Sequence, residues 1–287
     1  MTEATTQVER KTFRNHVKPI WCPGCGDHSV LACLVKALDS LELNTTDTAV
    51  ISGIGCSSRL PGYMSCYGMN SIHGRAIPIA TGLKMGRPEM TVVITGGDGD
   101  GFAIGGNHVM HAVRRNIDLT YIMMDNGIYG LTKGQVSPTT PIGYKTKTTA
   151  YGAYEKPIAP LEVVLAYGCT YVAQAFSADM KRLQELIVEA IKYPGFSFIN
   201  VISPCITYRG GSQIYKDLKP LLKPIGEEHD VHDWDAAHKI ARDKTHLHVG
   251  VLYQERRETY QETQDDLKHR APHAEAISVV DIAMKYR

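Results

Sequence analysis

Short apolar runs rich in β-branched residues alternate along the chain with segments whose apolar residues recur at helical spacing. This alternation of strand and helix patterns predicts an α/β fold with a mostly parallel sheet and helices on both faces. The predicted strands are 48–53, 92–95, 119–124, 170–174 and 196–202, and the predicted helices are 27–41, 77–84, 161–167 and 178–192. A further helix, which includes Asn107 and His108, is predicted between the strands 92–95 and 119–124.

The remaining segments lack a clear period. Residues 1–20 are polar and predict an exposed arm, whereas residues 127–160 are rich in Gly, Pro, Thr and Tyr. A loop of that length in a compact protein is usually functional. We expect an α/β domain over residues 1–219 and a C-terminal extension over 220–287 that packs on the domain or on a partner subunit, with one surface helix within HDWDAAHKIARD.

Composition narrows the class of protein. The chain of 287 residues has a net charge of +1, so no nucleic-acid partner is indicated. No apolar run is long enough to cross a bilayer, and the polar N-terminus does not resemble a signal peptide. Seven cysteines, an odd number, fit a reducing compartment, and we expect a cytoplasmic protein without a membrane partner.

Two predicted strands end in residues that suit a metal-bound diphosphate. The first is followed by Gly97-Asp98-Gly99, and the second by Asp125 and then Asn126. The carboxyl ends of parallel strands share one edge of a sheet, so Asp98 and Asn126 are expected to meet there. Mg²⁺ takes oxygen ligands, and glycines let the main chain approach phosphate closely. Two ordinary turns are the less favoured alternative, because both strand ends match together.

Four cysteines form a second candidate site. Cys22 and Cys25 form a CxxC pair beside Gly and Pro, and Cys56 and Cys205 lie in loops after predicted strands. Such a set can hold a [4Fe–4S] cluster or a structural zinc ion, and the cysteines alone do not separate the two. A redox dithiol is less favoured, because the sequence around the CxxC pair is not thioredoxin-like. The other three cysteines lie in apolar stretches and are expected to be buried.

Together the motifs resemble the β subunits of the 2-oxoacid:ferredoxin oxidoreductases, and most closely the enzymes that act on 2-oxoglutarate. The GDG followed by 26 residues and Asn126 is similar to the thiamine diphosphate motif. The resemblance covers roughly residues 15–215. Its motif segments are 21–31, 53–59, 73–84, 97–108, 114–118 and 126–140.

The resemblance implies a thiamine-diphosphate-binding fold and assigns the site residues. Mg²⁺ is expected on the side chains of Asp98 and Asn126 and on the carbonyl of Ile128, and a [4Fe–4S] cluster on the four cysteines. Electrons released by thiamine chemistry favour the cluster over zinc. The expected contacts of thiamine diphosphate and its diphosphate are Gly97, Asp98, Gly99, Asn126, Ile128, Gly130, Leu131, Thr132, Cys56, Ser57 and His73.

The implied reaction is the CoA-dependent oxidative decarboxylation of a 2-oxoacid, expected to be reversible, with ferredoxin as the electron acceptor. His73 is a candidate catalytic residue, and Arg59 and Lys133 are candidates for the distal carboxylate of 2-oxoglutarate. The family places the pyrimidine-binding domain in an α subunit, so an α2β2 assembly is expected. The alternatives are pyruvate or another 2-oxoacid as substrate, a non-redox thiamine enzyme with a four-cysteine zinc site, or an electron-transfer module without enzymatic activity.

Overall fold

The computed structural model describes residues 12–270 and 279–286. In this part of the chain the strands form one eight-stranded sheet with the order β2-β1-β3-β4-β6-β5-β8-β7. Adjacent strands are parallel except β5 and β8. The strands are β1 Thr48–Ser52, β2 Tyr67–Asn70, β3 Thr91–Gly97, β4 Leu119–Asp125, β5 Tyr171–Phe176, β6 Phe196–Ile202, β7 Leu222–Pro224 and β8 Leu247–Gln254.

The helices connect these strands. They are α1 Asp27–Ser40, α2 Ala76–Gly86, α3 Gly106–Arg115, α4 Pro160–Ala166, α5 Met180–Lys192, α6 Gln213–Leu218, α7 Trp234–Ala241, α8 Tyr260–Arg270 and α9 Val279–Met284. Short 3₁₀ helices cover Ser57–Tyr63 and Lys219–Leu221, and a turn of π-helix covers Asp100–Ile104. In the described residues, no helix combines the length and the hydropathy that a membrane span requires.

The core consists of two apolar layers, one on each face of the sheet. Successive side chains of a strand point to opposite faces, so Val93 joins the layer beneath α1 and α5, while Val92 and Ile94 join the layer that includes α2, α3 and α4. The central strands β3 and β4 are therefore buried on both sides, as the continuous apolar runs predict. The predicted fold class is confirmed.

Every predicted strand and helix is present, with boundaries that lie within two residues of the prediction. Two short elements were not predicted in the first half of the chain: β2, which is exposed at the edge of the sheet, and the 3₁₀ helix after Cys56. Neither carries the apolar period that identifies a buried element.

Among the described residues of the predicted N-terminal arm, residues 12, 14, 16–18 and 20 are exposed as predicted, whereas Phe13 is not. Phe13 is 1% exposed and lies in the core, and its amide donates to the carboxylate of Asp39. Ser65 in turn donates its amide to the carbonyl of Phe13. A single apolar residue has no period, so the sequence pattern could not show that it packs. Residues 1–11 of the predicted arm lie outside the described part of the chain.

The C-terminal extension contributes to the main sheet. Strand β8 pairs antiparallel with β5 and buries Val251, Leu252 and Tyr253. The surface helix predicted within HDWDAAHKIARD is present as α7, which buries Ala237 and leaves Trp234 nearly half exposed. The division of the chain at residue 219 stays a prediction.

Candidate active site

The acid and the amide that end two predicted strands meet at the carboxyl edge of the sheet. Strands β3 and β4 are neighbours, with Gly97 in register with Met124, so Asp98 and Asn126 each follow the end of one of them. The main-chain N–H of Asn126 donates a hydrogen bond to the Asp98 carboxylate. The main chain of Asn126 thus reaches Asp98, and the joint binding of Mg²⁺ by the two side chains stays a prediction.

Asp98 is almost completely buried and is held by hydroxyl groups. Its oxygen Oδ2 accepts hydrogen bonds from Ser137 and, at 2.7 Å, from Thr139, both in the loop 127–160. Burial raises the pKa of Asp98 above its ordinary value, although these hydrogen bonds oppose the shift. Sequence reasoning did not single out either hydroxyl, but both lie in the SPTT segment that carried part of the resemblance.

A second carboxylate, that of Asp125, lies beside Asp98. Thr139 Oγ1 is 2.8 Å from Asp125 Oδ1, so this hydroxyl lies between the two acids. Burial first, and then the charge of Asp98, raises the pKa of Asp125 to about 7. Two buried acids next to each other suit a cation, whose charge would offset their repulsion. Asp125 is a site residue that sequence reasoning noted only as a strand end.

The loop after Asn126 turns sharply. Asn126 Oδ1 accepts from the amide of Ile128 at 2.9 Å, and Gly127 has a φ of +64°, which favours glycine. Arg209 donates from Nη1 to the carbonyl of Asn126 at 3.2 Å. This arginine packs so closely that a Cβ at Gly127 would lie 2.2 Å from its Nη1. No sequence motif indicated Arg209.

The glycines of the GDG motif are packed tightly against their neighbours. A Cβ at Gly99 would lie 2.2 Å from the ring of Tyr129, and one at Gly97 would lie 3.3 Å from Ser57 Oγ. Tyr129 also donates its hydroxyl hydrogen to the carbonyl of Gly99. Ser57 thus lies close to Gly97, the last residue of β3.

His73 is positioned by Asp100, the acid that follows the GDG motif. Asp100 Oδ1 lies 2.9 Å from His73 Nδ1 and also accepts from the amides of Ile54 and Gly74. A carboxylate only accepts hydrogen bonds, so His73 carries its hydrogen on Nδ1 and leaves Nε2 as the acceptor. Asp100 therefore orients His73 and connects two loops, and all three donors reach the same oxygen, Oδ1.

The four candidate cluster ligands converge at the same edge of the sheet. Trp21 donates from Nε1 to the carbonyl of Cys56 at 2.7 Å, which ties the CxxC segment to the next cysteine loop. Electrostatic interactions link Cys25 with Cys56 and Cys205, and they link Cys22 with Cys56 and Cys205. The four thiols therefore lie in one region of the structure, and their role as cluster ligands stays a prediction.

The thiols share a partly buried environment. Burial is the main cause that raises the pKa of Cys25, of Cys205 and, to about 11, of Cys56. The charge of buried Asp27 adds to the rise for Cys25 and Cys56. A metal would remove this cost, because a coordinated thiol is held as the thiolate.

The spacing of the sulfurs argues against a preformed zinc site. Tetrahedral zinc with Zn–S bonds near 2.3 Å needs sulfurs about 3.8 Å apart. Among the described residues, the only trio of candidate ligand atoms within 4.8 Å of one another contains no cysteine. The four thiols are therefore spaced more widely than one zinc ion requires, as suits a larger metal group.

The remaining predicted site residues lie in exposed loops. Lys133 has a φ of +77°, in the left-handed region that a side chain rarely adopts, and lines a cavity of about 430 Å³ with Lys145 and Lys147. Arg59 is exposed and lowers the pKa of Cys56, so it lies beside that thiol. Arg59 does not line the cavity of Lys133. Leu131 and Thr132 are exposed in the same turn as Lys133.

Three cysteines are not candidate cluster ligands and were expected to be buried. Two of them, Cys33 and Cys169, are completely buried. Cys66 is only half-buried, because it precedes the exposed strand β2.

Comparison with known proteins assigns the chain to a family. Residues 53–201 match the family described as thiamine pyrophosphate enzyme, C-terminal TPP binding domain. Residues 205–269 match the family that describes the C terminal of the pyruvate ferredoxin oxidoreductase beta subunit. The second match begins at Cys205 and includes β7 and β8.

Individual relatives give the same result. The chain is 46% identical over 213 residues to the 2-oxoglutarate synthase subunit KorB of Methanocaldococcus jannaschii, covering 74% of this chain and 78% of the relative. It is 39% identical over 263 residues to subunit beta of 2-oxoacid:ferredoxin oxidoreductase 1 of Aeropyrum pernix, covering 88% and 83%.

A solved structure extends the likeness to the whole fold. This is the 2-oxoglutarate:ferredoxin oxidoreductase from Magnetococcus marinus with 2-oxoglutarate, coenzyme A and succinyl-CoA bound. It is 40% identical, with a TM-score of 0.90 and coverage of 100% of both chains. The chain therefore belongs to the β subunits of the 2-oxoacid:ferredoxin oxidoreductases and carries their thiamine-diphosphate domain.

Proposed function

We propose that the chain takes part in the CoA-dependent oxidative decarboxylation of 2-oxoglutarate to succinyl-CoA and CO₂, with ferredoxin as the electron acceptor. The observation that carries this proposal is the position of Gly130. A Cβ there would lie 3.4 Å from Cys56 Sγ and 3.7 Å from Cys205 Sγ. The turn that follows the magnesium candidate Asn126 therefore packs directly against the cluster candidates.

The residues at the strand ends fit a magnesium diphosphate. Asp98 and Asn126 would offer side-chain oxygens, and Ile128 a carbonyl oxygen, to Mg²⁺, which prefers few protein ligands plus phosphate. Buried Asp98 and Asp125 supply the negative charge that a cation would neutralise. The absence of a side chain at Gly99 makes room for the Tyr129 ring, and its absence at Gly97 lets Ser57 approach.

The four cysteines fit a [4Fe–4S] cluster better than a single metal ion. Cys25, Cys56 and Cys205 are half-buried, and no three of the four sulfurs lie within 4.8 Å of one another, whereas one tetrahedral zinc ion needs sulfurs about 3.8 Å apart. Cys22 is the exposed member, and Thr207 donates a hydrogen bond to its sulfur at 3.1 Å. Hydrogen bonds to the sulfurs and solvent exposure are two of the factors that set the potential of such a cluster.

Thiamine diphosphate supplies a stabilised carbanion when bound, and the cluster accepts single electrons. The residues of this chain orient the reactants. His73, held through Nδ1 by Asp100, presents Nε2 as a proton acceptor at the edge of the site. Lys133 and Arg59 offer cations for a second carboxylate on the substrate, which distinguishes 2-oxoglutarate from pyruvate.

Exposed apolar side chains around the site support a second polypeptide as partner. Such residues are uncommon in a continuous group on a monomer and mark protein interfaces. They lie in the loops that follow β1, β2, β3 and β4, which are neighbouring parallel strands with their carboxyl ends at one edge of the sheet. They are Ile54, Ile72, Ile104, Leu131, Ile142 and Tyr154. We propose that this surface is covered by the α subunit, which completes the thiamine site in an α2β2 complex.

A basic cavity beside the cysteines supports a separate surface for ferredoxin. Lys145 and Lys147 line it together with Thr207, the residue that contacts the exposed Cys22. Electrons would leave the cluster near the exposed Cys22. Positive charge beside this cysteine would attract an acidic electron carrier to the surface. We place the complex in the cytoplasm, because seven cysteines suit a reducing compartment.

The test uses the complex of this chain with its α subunit, purified without oxygen. It is assayed with CoA and a low-potential acceptor against a panel of 2-oxoacids. We expect 2-oxoglutarate to have the highest kcat/KM, and activity to require CoA. Release of thiamine diphosphate on denaturation and a reducible iron–sulfur signal should accompany activity.

The chain without its partner is the control. We expect no turnover from it, and activity should return when the α subunit is added. Full activity of the isolated chain would refute the shared site, and a preference for pyruvate would refute the substrate assignment. Zinc bound to the cysteines in place of iron and sulfide would refute the redox role.

A further inference from the structure

Three potential metal ligands lie together far along the chain from the site described above. Asp243 follows the end of α7, His246 precedes β8, and His248 lies in β8. One ligand atom from each of the three lies within 4.8 Å of the others. His246 and His248 are two residues apart in extended chain, so both side chains point to the same face.

The shared atom of this trio is Oδ2 of Asp243. It lies 2.7 Å from His248 Nε2 and 3.3 Å from His246 Nδ1. Two ligands that bind one tetrahedral zinc ion at 2.0–2.1 Å are separated by about 3.3 Å. The two distances to Oδ2 are therefore close to the spacing that a single metal ion imposes, and the two nitrogens lie within 4.8 Å of each other. A shared ion would replace the hydrogen bonds between these atoms.

The orientation of the Asp243 carboxylate is fixed by its other oxygen. Oδ1 accepts from the amide of Thr245 at 2.7 Å and from the Thr245 hydroxyl at 2.6 Å. These contacts leave Oδ2 directed at the histidines. Outer hydrogen bonds of this kind orient ligands in metal sites.

The histidines are also held in place. Gln174 of β5 donates to the carbonyl of His248 at 2.8 Å, which fixes that residue to the central sheet. The side chain of His248 is 12% exposed, and that of His246 is 46% exposed. A competing contact exists, because His246 Nδ1 lies 2.8 Å from the Thr245 hydroxyl. Metal binding would replace this contact as well.

A cavity opens beside the trio. It has a volume of about 540 Å³ and is lined by Asp243 and His248, together with Glu228 and His229. The cavity leaves room for water or an additional ligand to complete the coordination of an ion. With neutral imidazoles, the trio carries one negative charge and so favours a divalent cation.

We propose that Asp243, His246 and His248 form a site for a divalent transition-metal ion, with two nitrogen ligands and one oxygen ligand from the chain. Imidazole and carboxylate together suit Zn²⁺, Ni²⁺ or Fe²⁺. The ion would connect the turn after α7 to the start of β8. It is independent of the cluster cysteines and of the magnesium candidates, and its role is to hold the C-terminal part of the sheet.

The test uses the purified holo complex, in which the cluster occupies the cysteines. A chelator removes loosely bound metal, and Zn²⁺ is then titrated by calorimetry. We expect one tight zinc ion per chain in the wild type. His246→Ala and Asp243→Asn should each weaken it at least 10-fold, and His248→Ala should do the same if the variant folds.

His232→Ala is the matched control, since His232 is an exposed histidine that contacts the carbonyl of Gln254 and is not part of the trio. This variant should bind zinc as the wild type does. Substitution with Co²⁺ gives a second readout: nitrogen and oxygen ligands produce ligand-field bands without the sulfur-to-cobalt charge-transfer band of thiolates.

Zinc should also raise the thermal midpoint of the wild type but not that of Asp243→Asn. Three results would overturn the proposal: no zinc bound by the wild type, equal affinity in the wild type and the trio variants, or a thiolate signature in the cobalt spectrum. None of these results depends on activity, so the proposal can fail while the proposed function stands.

Discussion

His73 Nδ1 lies 2.9 Å from Oδ1 of Asp100, the buried acid two residues after the thiamine-motif aspartate. Because the carboxylate fixes the hydrogen on Nδ1, the free Nε2 of His73 is available to accept a proton. We expect His73→Ala to lower kcat by about 100-fold. Asp100→Asn should lower kcat in the same direction, since the tautomer is no longer imposed.

The two residues act as a unit, so the double variant should be no slower than His73→Ala alone. The measurement is kcat of the three variant complexes at saturating substrate. Thermal midpoints serve as the control, because Asp100 also accepts from the amides of Ile54 and Gly74. Multiplicative losses in the double variant would contradict the coupling.

Thr139 connects the two buried acids at the strand ends. Replacing it with Val removes the hydroxyl that orients Asp98 and Asp125. We expect Thr139→Val to weaken Mg²⁺ binding by about 10- to 100-fold, the usual effect of losing an outer contact of a metal ligand. The measurement is the Mg²⁺ dependence of activity in the complex. Thr148→Val, in the same loop, should leave the Mg²⁺ dependence unchanged, and equal effects of both variants would disprove the role.

Lys133 combines a positive charge with a left-handed backbone conformation. Asn tolerates this conformation, so Lys133→Asn removes the charge without adding strain. We expect kcat/KM for 2-oxoglutarate to fall by about 10- to 100-fold, the cost of a lost charge-assisted hydrogen bond. The value for pyruvate should change little, because pyruvate has no distal carboxylate.

Lys156→Ala is the control for a general loss of positive charge near the site. Arg59→Ala tests the other candidate cation in the same assay. If Lys133→Asn reduces the use of both acids equally while Arg59→Ala reduces only that of 2-oxoglutarate, then Arg59 binds the distal carboxylate.

Thr207 donates a hydrogen bond to the sulfur of Cys22. Such a bond stabilises the reduced, more negative state of a cluster, so its loss should lower the reduction potential. A net hydrogen bond of about 0.5–1.5 kcal/mol corresponds to about 20–60 mV for one electron. Redox titration of Thr207→Val by electron paramagnetic resonance measures this shift. Thr207→Ser is the control, because it keeps the hydroxyl donor and should keep the reduction potential. An unchanged potential in Thr207→Val would rule out the hydrogen bond to the Cys22 sulfur in the holo protein.

His238 is 6% exposed, and neither ring nitrogen has a hydrogen-bond partner among the described residues. Burial is the main cause that lowers its pKa below the ordinary value of 6.5. The unfolded chain therefore binds the proton more readily, so this histidine reduces stability as the pH falls below about 6.5. We expect His238→Phe to make the free energy of unfolding depend less on pH in that range.

Urea unfolding of the chain at several pH values between 5 and 8 provides the measurement. The phenyl ring keeps the contact with Trp234, whose ring centroid lies 4.0 Å from that of His238. His16→Phe replaces an exposed histidine and should leave the pH dependence unchanged. A pH dependence that is identical in the wild type and in His238→Phe would contradict this assignment.

Local sequence patterns were sufficient to predict the central part of this protein. Buried parallel strands and amphipathic helices each have a local period, so β3, β4, β6 and α5 could be predicted with boundaries close to those observed. The strand ends then placed Asp98 and Asn126 at one edge, and Cys205 with them, because parallel strands share their carboxyl edge.

The other features depend on tertiary packing, because their contacts join segments that are far apart or lack a period. Arg209 donates to the carbonyl of Asn126 although it lies 83 residues later in the chain. Asp243 lies close to two histidines because of a turn, and the sequence of this turn shows no helix or strand periodicity. Strand β8 pairs with β5 although its pattern did not identify it as part of the sheet. Local patterns encode local conformation, whereas such contacts arise only when separate elements pack against one another.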